Sequence, residues 1–149
     1  MTKASSILTA LLLCSGIPTA WAQVNPSQTA EEESVRRQEQ SILLRKTLES
    51  AQTAQKQGDL KVAATLYEKA WETVESLGGG VAEPERAATV SGFVSVRMAL
   101  AEKAAKEGNY EEANTQINRV LRVDPNNLKA RNFKRDNDRR VEEIGRAHV

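Results

Sequence analysis

Cysteine, histidine and the aromatic residues are scarce in this sequence. The 149-residue chain has one cysteine, one histidine and two each of Trp, Tyr and Phe. Cys14 lies in the first apolar stretch and His148 is the last residue but one. With these two set aside, no disulfide, thiolate nucleophile, zinc set or Ser–His pair can be assembled. The formal net charge of +1 lacks the cationic excess that a nucleic-acid surface needs. Runs of β-branched residues of strand length are missing too. What is abundant is Lys, Arg, Glu, Gln, Ala and Leu, residues that favour helix, while Gly and Pro fall at a few points. The composition therefore predicts an all-α domain.

The first residues read as an export leader. Lys3 gives a positive start, "ILTALLLCSGI" an apolar segment too short to span a bilayer, and Ala20-Trp21-Ala22 a small-x-small cleavage site. A buried helix or membrane anchor is the competing reading. A lipid-modified cysteine would need a small residue before it, and Leu13 precedes Cys14. Cleavage after Ala22 predicts a mature chain that starts at Gln23, carries no cysteine and resides in the periplasm or on the periplasmic side of the outer membrane.

Residues 23–30, "QVNPSQTA", read as a solvated lead-in, and residues 31–142 as one helical domain. The acids Glu31, Glu32 and Glu33 favour a helix N-terminus, and Leu44, Leu48, Ala51 and Ala54 then recur at helical spacing as far as Gly58. Up to about Gln40 this helix is polar and is expected to protrude. After "QGD" a second stripe runs through Leu60, Ala63, Ala64, Tyr67, Ala70, Trp71 and Val74. Gly78, Gly79 and Gly80 could suggest a phosphate cradle, but no Lys-Ser/Thr follows, and a helix C-cap with a flexible connector fits better. "AEPERAA" starts a third helix with Pro84 in its first turn, carrying Val90, Phe93, Val94, Leu100, Ala101 and Ala104. The carboxylate pairs, including Glu111 and Glu112, read as helix N-terminal charges, so the visible chain is expected not to be an enzyme and to hold neither metal nor cofactor.

Laying "QGDLKVAATLYEKAWE" on "EGNYEEANTQINRVLR" matches Gly58 with Gly108, Asp59 with Asn109, Leu60 with Tyr110, Ala63 with Ala113 and Ala70 with Val120. A turn glycine, an Asx cap and a small residue one turn on are what a tight antiparallel helix-turn-helix needs. These residues, with "DPNN" around Pro125, resemble the tetratricopeptide repeat over about two thirds of the mature chain. The spacing between the turn glycines exceeds one standard repeat, and Thr47 and Arg97 stand where a large aromatic is usual. The resemblance implies two repeats, a long N-terminal helix and a C-terminal capping helix. It also implies a protein-binding inner surface carrying Arg45, Gln52, Lys56, Met98, Glu102, Ala105 and Lys106. Leu48, Gln52, Met98 and Glu102 occupy positions where a carboxylate clamp needs Lys and Asn, so a peptide C-terminus is not the implied ligand.

The segment after Asn127 has a thin stripe, Ala130, Phe133 and Val141, and the densest run of cations: Lys129, Arg131, Lys134, Arg135, Arg139 and Arg140. A solvated face of the capping helix and a dock for an acidic partner both fit it. From Val35 to Asp138 the chain also resembles the N-terminal periplasmic region of secretin-like outer-membrane proteins of type II and type III secretion. That likeness implies secretion or pilus components, or further copies of the chain, as partners; a self-contained periplasmic scaffold is the alternative. Neither nucleic acid nor membrane contact by the mature segment is expected, although the full-length chain could belong to the outer membrane. The closing "IGRAHV", Ile144 to Val149, resembles a translated sequencing adapter, and Glu143 fits the same origin. On that likeness residues 143–149 are an artefact at a truncated end and His148 is no site.

Overall fold

The computed structural model describes residues 26–147 apart from Ala82. The leader, its cleavage site and His148 lie outside the described residues. Those residues form α1 (Pro26–Lys56), α2 (Leu60–Leu77), α3 (Glu83–Lys106), α4 (Tyr110–Val123) and α5 (Leu128–Ala147), with one 3₁₀ turn at Gly78–Gly80. The fold is all-α, and among the described residues there is no strand.

Two boundaries differ from the sequence expectation. Residues 26–30 belong to α1 rather than to a lead-in, because proline is tolerated as a first helical residue, where its missing N–H has no intrahelical partner to lose. Glu31 to Glu33 accordingly fall beyond the first turn. The glycine segment begins as a 3₁₀ turn: Gly78 takes φ +55° and its N–H donates to the carbonyls of Val74 and Glu75, closing α2. Arg86 of α3 donates to the Gly78 carbonyl at 2.6 Å and ties the connector to the next helix. At the other end, α5 continues as helix through the adapter-like residues to Ala147, with Ile144, Gly145 and Arg146 exposed.

The α1–α2 and α3–α4 turns are built alike. Gly58 and Gly108 have φ of +80° and +78°. The N–H of each following Asx residue reaches back to Ala54 and Ala104 at 3.0 and 2.9 Å, the six-to-one bond of a Schellman motif. The Asp59 and Asn109 side chains then accept from the N–H of Val62 and Glu112, capping α2 and α4. Burial repeats with the same shift. Thr47, Leu48, Ala51, Ala54, Ala63, Tyr67 and Ala70 are buried, and so are Arg97, Met98, Ala101, Ala104, Ala113, Ile117 and Val120. The third turn keeps the same Asx cap, Asn127 accepting from the Ala130 N–H at 3.0 Å and donating to Asp124, but does without a positive-φ glycine.

Three-residue turns make α1–α2 and α3–α4 antiparallel hairpins, and α2 packs on α3 to join them. One apolar cluster gathers α1, α2 and the first half of α3 around Leu44, Leu48, Tyr67, Val74 and Phe93. A second gathers the rest of α3 with α4 and α5 around Met98, Ile117, Val120 and Ala130. α3 thus serves both, which is why small and apolar side chains occur round most of its circumference.

The hairpins are staggered. Arg45 bonds Glu85 at 2.9 Å and Gln55 bonds Ser95 at 3.3 Å, two pairs each 40 residues apart. The turns repeat at a longer interval, from Gly58 to Gly108. α1 and α3 therefore run parallel, and the α3–α4 turn lies about 15 Å beyond the α1–α2 turn at the rise of a helix.

Candidate interaction surfaces

That stagger divides the expected inner surface. Gln52 and Lys56 are exposed on α1, and Arg45 is engaged by Glu85. Met98 is not a surface residue: it is 4% exposed, within the second cluster, at the position equivalent to buried Leu48. Glu102 pairs with Lys129 of α5 at 2.9 Å. Ala105 lines a small cleft of about 180 Å³ with Phe133, Asn137 and Arg140, while Lys106 is exposed at the end of α3. With Met98 in the core, six positions remain at the surface: Arg45, Gln52 and Lys56 on α1, and Glu102, Ala105 and Lys106 towards the end of α3.

The cations of α5 are likewise divided. Arg131, Lys134, Arg135 and Arg139 line a groove of about 460 Å³ beside Leu121 of α4, together with Asp138 and Glu142. Lys134 is held by Asp138 at 3.1 Å. Lys129 points to Glu102 and Arg140 lines the Ala105 cleft, so neither belongs to this groove. α5 is held on α4 by buried Ala130 and by Asn137, which donates to the Tyr110 carbonyl at 2.8 Å and to Asn114 Oδ1 at 2.9 Å.

A larger groove, which sequence reasoning did not single out, lies along the first half of α3. α4 has 14 residues against 24 in α3, so the early turns of α3 extend past it. The resulting hollow of about 650 Å³ is lined by Ala87, Val90, Ser91, Val94 and Ser95, with Glu83 and Arg86 of the first turn of α3 and Asp124 and Asn127 of the turn after α4 beside them. Val90 and Val94 look like core in the sequence; both are half-buried, and Val94 also packs against the second cluster. The available signal was a second stripe of short side chains at three- and four-residue spacing beside the core stripe of Thr89, Phe93 and Val96.

Polar groups converge where α2, α3 and α4 meet. The Glu68 carboxylate of α2 accepts from Arg97 of α3 and from Arg119 and Arg122 of α4, the latter two at 2.6 and 3.1 Å. Arg97 is 6% exposed. It lies over the Phe93 ring with 5.4 Å to the centroid and donates to Gln116 at 2.8 Å, while its Nε has no partner. Burial pulls the Arg97 guanidinium below its ordinary range; Glu68 opposes this, and the positive charges of Arg119 and Arg122 add to it. Thr47, the equivalent in the first hairpin, is also buried but neutral, and its hydroxyl donates to the Leu43 carbonyl at 2.8 Å.

Comparison with protein-family models, with curated proteins and with solved structures finds no match to this chain. Among the described residues no helix is long and apolar enough to cross a membrane. No group of three His, Cys, Asp or Glu side chains among them is placed to hold a metal ion.

Proposed function

We propose that the chain is an exported protein–protein interaction module of the tetratricopeptide type. The observation that carries this reading is the duplicated hairpin: turn glycine, Asx cap and buried positions recur with one shift in α1–α2 and α3–α4. Repeats of this kind bury their apolar faces on one another and leave extended surfaces for partners. The half-apolar groove of α3 is the partner-facing ground best suited to an extended segment. Valine floors and hydroxyl-bearing rims offer apolar burial together with hydrogen bonds to a peptide backbone. On the likeness of Val35 to Asp138, the module belongs to the periplasmic end of a secretin-like subunit and engages secretion or pilus components. A self-contained periplasmic scaffold is the other outcome.

The test selects peptides from a random display library on the purified chain and maps them by cross-linking. Peptides that cross-link beside Val90 and lose binding to Val90→Glu, with helicity unchanged, are the expected result. Selected peptides that map elsewhere and tolerate Val90→Glu would overturn the α3 assignment. Resequencing the gene through the codons for residues 143–149 separates the two settings, since strand-rich ring and barrel sequence downstream is expected only for a secretin.

A further inference from the structure

The Glu68 cluster has more cation than the fold requires. A buried arginine is tolerated only when paired and hydrogen-bonded, because desolvating a guanidinium is expensive. Thr47 shows that a neutral side chain fills the equivalent buried place in the first hairpin. Arg97 is nevertheless charged, keeps an unbonded Nε, and has Arg119 and Arg122 aimed at its single carboxylate partner. The cleft over it, about 510 Å³, is lined by Thr65, Glu68, Lys69, Glu72, Arg97 and Arg119. With Arg122 bonded to Glu68 and Glu112 also acting on Arg97, four cations face three carboxylates.

The geometry points to a receptor for an acidic side chain of a protein partner, an Asp or Glu that enters between α2 and α4 and shares the three arginines with Glu68. The ligand chemistry is read from Glu68 itself, a carboxylate already held by these forks, whose planar donors match carboxylate oxygens. Arg119 and Arg122 each spend one terminal nitrogen on Glu68 and retain further donors, at side-chain exposures of 41% and 62%. Glu72 in the same wall and the small cationic excess suit an isolated carboxylate better than a polyphosphate backbone. This site is separate from the α3 groove and does not depend on it.

The test uses the purified full chain and a fluorescein-labelled hexaglutamate peptide, with hexalysine as control. Arg119→Gln with Arg122→Gln leaves the Arg97–Glu68 pair in place and should weaken hexaglutamate binding about tenfold or more. Lys134→Gln with Arg135→Gln, in the α5 groove, should change it less than twofold. Glu68→Gln removes the internal competitor and should tighten binding; should that variant fail to fold, the double arginine variant and side-chain NMR of Arg119 carry the test. The proposal is overturned if hexaglutamate does not bind, if the α5 pair rather than the α4 pair controls it, or if equimolar inorganic phosphate displaces it as a simple anion. Val90→Glu should leave hexaglutamate binding intact, so failure of the α3 groove and failure of this site are told apart.

Discussion

Gly92→Ala should destabilise this protein, although the same change in most helices stabilises. A Cβ built at Gly92 meets Tyr67 Cε1 at 2.1 Å, Cζ at 2.2 Å and the hydroxyl at 2.6 Å, where ordinary contact begins near 3.4 Å. The ring or the helix must therefore move by more than an ångström. The ring has little freedom: Tyr67 is 2% exposed and its hydroxyl donates to Gln55 Oε1 of α1 at 2.8 Å. Overpacking a filled core typically costs about 1 to 3 kcal/mol. Replacing glycine by alanine within a helix returns about 1 kcal/mol. Because the overlap exceeds an ångström, the cost falls in the upper part of that range, about 2 to 3 kcal/mol, and the net expectation is a loss of about 1 to 2 kcal/mol, read as a lowered urea midpoint with the m-value unchanged. Tyr67→Leu removes the clashing ring atoms, and in that background Gly92→Ala should be neutral or stabilise by up to about 1 kcal/mol. Equal effects in the two backgrounds, or stabilisation of the wild type, would refute the packing argument.

Gly108→Val should lower stability by about 1 to 2 kcal/mol, because φ is +78° and a β-branched residue resists that region; thermal melts check it. The bonds from Arg36 first, and then Arg37, hold the Glu33 carboxyl down at about 2. Since this pKa is depressed on folding, its contribution to α1 is complete above the ordinary carboxylate range and is lost as pH falls from about 4.5 to about 2, which carboxyl NMR titration would follow. Asn137→Ala removes the bonds to Tyr110 and Asn114 and should speed amide exchange in α5 while leaving α2 and α3 protected.

What the sequence made legible was local stereochemistry. Gly58, Gly108, Asp59 and Asn109 could be placed because a left-handed turn and an N-cap each accept few residue types, and Ala63 and Ala113 because close helices need small side chains. Gly92 escaped notice because its reason is a ring on another helix, which no local pattern encodes. Met98 is legible as core from the shift itself, since it stands opposite buried Leu48, whereas the repeat resemblance put it on the inner surface. Arg97 was noticed as a departure from the repeat, but its burial against Glu68 needs three helices to be assembled.

The double allegiance of α3 also governs the order in which structure forms. Each hairpin closes over a very short turn, so most contacts are local and collapse should be fast. Yet the α1–α2 pair cannot complete its core without Phe93 and Val96, nor the α4–α5 pair without Met98 and Ala101. The middle of α3, from Phe93 to Ala101, is then the natural nucleus. Conservative truncations there should retard folding with φ-values above those of α1 or α5, whose substitutions should chiefly hasten unfolding. A chain with two half-cores would in this way fold as one kinetic unit, with the shared helix setting the pace for both.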